Sequence, residues 1–337
     1  KIRILEFRNY TTWVDLPIRP RRNRKGPGLR ALTRETLLCP GDFVLPLFVH
    51  DAEVDEAIES MPGCMRWSLK GMVKEAGEAL AVGVPAVILF PAIDDLLKTK
   101  RGEECFNREG LVQRAIRALK SAHPELVVMT DVALDPYNID GHDGIVEEGE
   151  ILNDQTVEIL CKQAVSQAEA GADIIAPSDM MDGRVGALRA ALDTAGYQKV
   201  SICSYTAKYA SAFYGPFRGA LGSAPKSGDK KSYQMDPSNR REALRELLLD
   251  EDEGADIVMV KPAGAYLDVI SDVRENTTLP VAAYQVSGEY LMIKSASAQG
   301  WISEESIMME SLIAIKRAGA DVILTYFAKE AARHLGK

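Results

Sequence analysis

Two lysines in this sequence have the surroundings that amine chemistry needs. Lys261 directly follows the apolar run Ile257-Val258-Met259-Val260 and precedes Pro262, and Lys208 sits in S-Y-T-A-K-Y-A-S. An amine that starts from an apolar, partly dehydrated wall is disfavoured as ammonium, and a second amine nearby lowers its pKa further because like charges resist coexistence. A neutral lysine can then attack a ketone to give a Schiff base, whose positive nitrogen acidifies the adjacent carbon. Either lysine alone reads better as an ion-pair partner or a snorkelling stem. Together, at the ends of consecutive apolar runs, they point to an enzyme acting on carbonyl groups of small acidic substrates.

Positioning two such side chains requires a regular frame. Short β-branched runs alternate with longer helical segments at Phe43–Val49, Ala86–Phe90, Leu126–Met129, Asp173–Ala176, Val200–Cys203, Asp256–Val260, Pro280–Tyr284 and Asp321–Leu324. Runs apolar on both faces indicate a parallel sheet covered by helices, and about eight βα units at 337 residues favour a closed α/β barrel of the (β/α)8 TIM type over an open doubly wound sheet. The related strings A-G-A-D-I-I at Ala170, E-G-A-D-I-V at Glu253 and A-G-A-D-V-I at Ala318 each place a helix-ending glycine before an apolar strand. From Tyr209 to about Asn239 the rhythm breaks into Gly, Ser, Pro, Lys and aromatic residues, which predicts a lid over the catalytic face. The expected organisation is an N-terminal arm over residues 1–30 and a single barrel domain over residues 31–337.

Barrel active sites form at the C-terminal ends of the strands, so the polar residues that close each apolar run are the informative ones. The third run is followed by Asp131 and Asp135, the fourth by Ser178 and Asp179, the fifth by Tyr205 and Lys208, and the sixth by Lys261. The seventh is followed by Tyr284 and Ser287 and the eighth by Thr325 and Tyr326, so carboxylates, hydroxyls and amines should converge on one mouth. Within the lid, Arg218, Lys230, Lys231 and Gln234 supply donors suited to an acidic substrate, and Tyr214 and Phe217 can exclude water. Asp135, His142 and Asp143 could suggest a metal. His142 has no second histidine at ligand spacing, however, and carboxylates that orient an amine or move protons are the stronger reading. No G-x-x-x-x-G-K-[ST] occurs, nor a Rossmann G-x-G-x-x-G after a strand, so nucleotide chemistry has no support.

The remaining bulk features exclude other classes. A formal net charge of −9 argues against the broad basic surface that nucleic acid requires, and no apolar stretch approaches the length of a membrane span. The 5 cysteines are scattered and odd in number, without C-x-x-C, which fits a reducing compartment and a packing role. The basic run Arg19 to Lys25 reads as a solvated arm. The first residue is Lys1 rather than Met, which admits a removed leader.

Four long motifs, S-Y-T-A-K-Y-A-S, M-V-K-P, P-S-D-M-M-D-G-R from Pro177 and Y-Q-V-S-G-E-Y from Tyr284, occur in the order found in one family. From about Pro20 to its C-terminus the chain resembles the porphobilinogen synthase family, also called 5-aminolevulinate dehydratase. The resemblance implies a lyase that condenses two 5-aminolevulinate molecules, with loss of two waters, to porphobilinogen for haem and chlorophyll synthesis. It implies that Lys261 holds the first substrate as a Schiff base and Lys208 engages the second. Ser287 and Tyr326 would bind the first carboxylate and Arg218, Lys230 and Gln234 the second. Asp131, Asp135 and Asp143 would form the catalytic carboxylate group, with Ser178 and Tyr284 beside the substrates.

The zinc-dependent branch of that family carries cysteines where this chain has Ala133, Asp135 and Asp143, so no catalytic zinc is expected. The aspartate-rich branch implies instead a magnesium ion, with Glu246 in the stretch Arg241–Leu249 as its matching residue. The resemblance further implies a homo-octamer with an arm wrapping a neighbouring subunit. The motif wording A-I-D-D-L-L-K-T and D-G-H-D-G-I-V favours a plastid enzyme over a bacterial cytoplasmic one. Two alternatives compete with this reading. A class I aldolase would share barrel and Schiff base but need only one lysine, and a non-catalytic barrel scaffold would have no reason to keep the strand-end groups.

Overall fold

The computed structural model describes residues 17–221 and 225–336, with the side chain of Arg218 outside the described residues. The chain divides into two compact units, residues 1–37 and 38–337. In the first unit a 3-10 turn, Pro20–Arg24, is followed by a short helix, Pro27–Leu32, and each opens on a proline whose missing N–H costs nothing at a helix start. The basic residues Arg19 to Lys25 are exposed. Residues 1–16, part of the expected arm, lie outside the described residues.

The second unit is built on eight parallel strands: β1 (Phe43–Val49), β2 (Ala86–Pro91), β3 (Val127–Val132), β4 (Ile174–Pro177), β5 (Ser201–Lys208), β6 (Ile257–Lys261), β7 (Val281–Gln285) and β8 (Val322–Thr325). Each pairs with the next, and β8 returns to β1 through Phe43↔Ile323 and Val44↔Leu324, which closes the barrel. Almost every strand residue is buried, because side chains on one face fill the barrel and those on the other meet helices. Gly171 and Gly319, at φ +109° and +126°, end their helices in a conformation that a side chain would strain, and the chain turns directly into β4 and β8. Two hairpins decorate the frame: Glu56–Ala57 with Met65–Trp67 lies beside β1, and Ile145–Glu147 with Glu150–Leu152 follows β3.

One irregularity positions the chemistry. Between β5 and β6 the register runs Val258↔Ser204 and then Val260↔Ala207, so β5 carries one extra residue before Lys208 pairs with Lys261. Such a bulge re-aims the side chains beyond it. Ser204 faces the helix Glu242–Asp252, donating to Asp250 at 2.6 Å, whereas Tyr205 and, after the bulge, Lys208 both face the mouth. Without the bulge, strict alternation over the four positions from Ser204 would turn Lys208 toward the helices.

The lid leaves and rejoins the barrel at a parallel bridge between Tyr209 and Met235, where Met235 N–H donates to the Lys208 carbonyl and Ala210 N–H to the Met235 carbonyl. Tyr209 is itself fully buried against Tyr266 and belongs to the stem. Inside the excursion lie a 3-10 turn, Ala212–Tyr214, and a short helix, Gly215–Leu221. Arg66, on the hairpin beside β1, donates to the Ala220 and Gly219 carbonyls at 2.6 and 2.9 Å and holds the C-terminal end of that helix. Among the described residues no helix is long and apolar enough to cross a membrane.

Candidate active site

The mouth of the barrel brings together Asp131, Asp135, Asp143, Ser178, Lys208, Lys230, Gln234 and Lys261, with Phe90, Tyr214 and Phe217 closing over them. Lys208 and Lys261 are Cα partners on neighbouring strands, and both amines lie against the ring of Tyr205, at 5.9 and 5.0 Å from its centroid. The Lys261 amine also meets the rings of Tyr284, Tyr214 and Phe217 at 4.7, 5.2 and 5.4 Å. Ring faces stabilise a cation only weakly compared with the water they displace. Burial, reinforced by the Lys208 charge and only partly opposed by Asp131, Asp143 and Asp135, therefore lowers the Lys261 pKa from 10.5 to about 7. An appreciable fraction of this amine is neutral near pH 7.

Lys208 is held differently. Its amine donates to Asp143 at 3.0 Å and to the Ser178 carbonyl, while Asp143 also accepts from Lys230 at 2.6 Å. Burial alone would raise the pKa of Asp143, but Lys208 and Lys230 outweigh it and hold the carboxyl well below its ordinary value. Lys230 is likewise buried, yet Asp135 and Asp143 raise its pKa and keep it charged. Asp131 goes the other way, since burial and the neighbouring Asp135 charge push it up to about 7 against the pull of Lys261 and Lys208. The mouth thus holds an amine that is partly neutral near pH 7 beside a carboxyl that can give or take a proton, next to a firmly ionised carboxylate hydrogen-bonded to Lys208 and Lys230.

The other expected residues surround this group. The Tyr284 and Tyr326 hydroxyls share a hydrogen bond at 3.0 Å, and Tyr326 stacks on Phe48. The Ser287 hydroxyl opens the helix Ser287–Ala298, accepts from Phe217 N–H at 3.0 Å and so seats the lid. Gln234 Nε2 approaches Asp143 at 3.4 Å, while its Oε1, the Asp131 Oδ1 and the Tyr205 hydroxyl are buried without hydrogen-bond partners. Orphaned polar atoms around one cavity are the mark of a ligand site. The cavity left between them is about 30 Å³, room for a few waters and not for two substrates, so binding both requires the lid to move.

Several expectations need correction or fall elsewhere. Lys231 is exposed beside Asp229 and does not face the mouth. His142 is buried with each ring nitrogen on a lid residue, and so belongs to the lid seam. Glu246 lies apart, in a polar cavity of about 300 Å³ with Asn153, Asp182, Asp236, Asn239 and Glu242, and burial raises its pKa. The cysteines do not all pack: Cys105 and Cys203 are buried, Cys39 is exposed, and all five are free. Sequence reading missed the buried pair Arg184–Asp250, at 2.8 Å behind β5, and the Arg66 clasp; their partners lie 66 and more than 150 residues away, beyond any local signal.

Residues 17–334 match the family model of delta-aminolevulinic acid dehydratase. The chain belongs to that family. It is 61% identical over 322 residues to the chloroplastic delta-aminolevulinic acid dehydratase of Physcomitrium patens, covering 95% of this chain and 74% of that one. The chloroplastic enzyme of Glycine max is 62% identical over 319 residues, with 94% and 77% covered. Among solved structures, the delta-aminolevulinic acid dehydratase (porphobilinogen synthase) of Toxoplasma gondii ME49, in complex with the reaction product porphobilinogen, superposes with a TM-score of 0.95 at 54% identity over 96% of this chain and 92% of that one. Family membership makes this barrel a lyase and sets aside both the aldolase and the scaffold alternatives.

Proposed function

We propose that the chain condenses two 5-aminolevulinate molecules into porphobilinogen through Schiff bases at Lys261 and Lys208. The observation that carries the reading is the register pairing of the two lysines with Lys261 enclosed by four aromatic rings. The neutral Lys261 amine attacks the ketone of the first substrate, and Asp131 protonates the departing hydroxyl so that water leaves and the iminium forms. Lys208 captures the second ketone after giving up its proton, for which Asp143 at 3.0 Å is the neighbouring acceptor, and that condensation also releases water. The iminium charge acidifies the adjacent carbon, which loses a proton and bonds to the iminium carbon of the other substrate, whose lysine then leaves by elimination. The amine of that other substrate displaces the remaining lysine to close the ring, and a last proton loss gives the pyrrole. The two waters lost are those released when the iminiums formed.

Carboxylate handling divides between two sides of the mouth. Ser287 and Tyr326 receive the carboxylate of the first substrate, with Tyr284 supporting Tyr326 and Ser178 supporting Asp131. Lys230 and Gln234 receive the second, with Arg218 beside them in sequence on the lid. Asp143 and Asp135 keep Lys230 and Lys208 placed until substrate arrives.

No catalytic zinc is needed in this scheme, because Asp135 and Asp143 are committed to ammonium groups and offer hard oxygen in place of thiolate. Glu246, the residue matched to a magnesium ion, lies in a separate cavity. Because among the described residues no three His, Cys, Asp or Glu side chains converge to hold an ion, a magnesium there would keep most of its waters and take Glu246 as its carboxylate. The chloroplastic names of the relatives support a plastid setting, and the family supports 5-aminolevulinate as partner and a homo-octameric assembly. The deciding experiment is turnover of 5-aminolevulinate to porphobilinogen with and without magnesium, beside size analysis and cyanoborohydride trapping. Absence of both product and label at Lys261 would refute the reading.

A further inference from the structure

His142 and Asp143 are consecutive, yet the mechanism above uses only Asp143. The buried His142 ring places Nε2 2.9 Å from the Ser227 carbonyl oxygen and Nδ1 3.0 Å from the Tyr233 hydroxyl, both on the lid. A carbonyl can only accept, so Nε2 is the donor to Ser227, and in the neutral ring the Tyr233 hydroxyl donates to Nδ1. The Tyr233 oxygen in turn accepts the backbone N–H of Asp143 at 3.3 Å. A continuous run of hydrogen bonds therefore links the lid at Ser227, through His142 and Tyr233, to the residue whose carboxylate grips Lys208 and Lys230 at 3.0 and 2.6 Å.

The same seam is zipped on either side. Lys226 N–H donates to the Asp140 carbonyl at 3.0 Å, and Lys230 and Gln234 reach Asp143 from the lid. The Asn138 amide fixes the loop from beneath, donating to the carbonyls of His142 and Gly144 at 2.6 and 3.1 Å. Because a cavity of about 30 Å³ is too small for two substrates, this seam or its far end must part for substrate and then reform in the same place.

We propose that His142 is a positioning residue that seats the lid: its imidazole bridges Ser227 and Tyr233, so that Lys230 and Gln234 meet the second substrate and Asp143 stays aimed at Lys208. The inference rests on the Schiff-base reading of the site. It predicts a defect confined to the second substrate's side, since the rings around Lys261 belong to β5, β7 and the other half of the lid.

The test compares His142→Phe, which keeps ring volume and loses both bonds, with His142→Gln, which restores a donor near Nε2, and Tyr233→Phe, which removes only the hydroxyl. For His142→Phe, KM for 5-aminolevulinate should rise about tenfold, the equivalent of ~1.4 kcal/mol or one to two neutral hydrogen bonds, while kcat changes less than about threefold. Cyanoborohydride labelling of Lys261 should keep its wild-type rate, and hydrogen exchange over residues 226–234 should quicken. The glutamine variant should recover most of the KM. Tyr233→Phe, which keeps the Ser227 bond, should raise KM by less than His142→Phe, and the double variant should be no worse than His142→Phe, because both break one shared connection.

An unchanged KM in His142→Phe, multiplicative effects in the double variant, or loss of Lys261 labelling together with turnover would each overturn the proposal. Should His142→Phe fail to fold, Tyr233→Phe decides alone, and wild-type KM and exchange in that variant would overturn it. A wild-type protein that neither labels at Lys261 nor makes porphobilinogen would instead sink the Schiff-base reading itself, which is a distinguishable result.

Discussion

Replacing Lys208 by methionine should move the acid limb of Schiff-base formation at Lys261 to higher pH. Adjacent strands lie ~5 Å apart, and at an effective dielectric of about 20 two unit charges at that spacing repel by about 3 kcal/mol, or about two pKa units. Asp143, at 3.0 Å from Lys208, cancels part of that field, which leaves about one unit. Deleting the cation raises the Lys261 pKa twice over, because a like charge disappears and Asp143 loses one of its two counterions. Asp131→Asn has the opposite sign, since it removes a charge that favours the ammonium, and it should move the limb to lower pH.

The assay is trapping of labelled 5-aminolevulinate on Lys261 by cyanoborohydride between pH 5 and 9, read by mass spectrometry of the Lys261 peptide, which does not need turnover. Wild-type labelling should be half-maximal near the pKa of about 7 and fall about tenfold for each further pH unit of acidification, as the attacking amine becomes protonated. An ordinary lysine at 10.5 would be neutral only about once in 3,000 at pH 7. Labelling that is flat from pH 6 to 9, or a limb that moves toward acid in the Lys208 variant, would refute the electrostatic argument.

Other outcomes follow from the same geometry. Asp143→Asn, which leaves Lys208 and Lys230 without their shared counterion, should lower kcat/KM by about two to three orders of magnitude, within the range of a lost acid–base or positioning group, as steady-state kinetics will read. Gly288→Ala would put a methyl 2.5 Å from the Phe213 carbonyl oxygen, and because backbone cannot swing aside, the lid root should shift and kcat/KM fall at least about tenfold with the fold retained by circular dichroism. Arg184→Met strands the buried Asp250 carboxylate behind β5 and should cost about 3–5 kcal/mol in urea unfolding. A zinc chelator should leave turnover unchanged; inhibition reversed only by zinc would count against the roles given to Asp135 and Asp143.

The frame was legible because each barrel strand is an apolar run closed by polar residues, and all eight expected runs coincide with strands within a residue or two at their starts. The largest departure is at β5, expected to end at Cys203 but continuing to Lys208, because Ser204 and Thr206 are polar yet buried and break the apolar signature of a strand. The hairpin carrying Arg66 has strands of two and three residues, too short to show alternation. The lysine pair could be named from local context, but its enclosure could not, since Tyr205, Tyr214, Phe217 and Tyr284 come from four separate elements. His142 invited a metal reading because its ring partners, Ser227 and Tyr233, lie 85 and 91 residues away.

The bulge in β5 makes the pointing of its lysine a matter of parity. Losing one residue between Tyr205 and Lys208 would flatten the strand and leave the amine three positions beyond the outward-facing Ser204, still aimed at the mouth and opposite Lys261. Losing two would swing that amine out among the helices and draw it back along the strand, opposite Val260. Deletion scanning should therefore separate odd from even losses along this strand, a distinction that alanine scanning passes over.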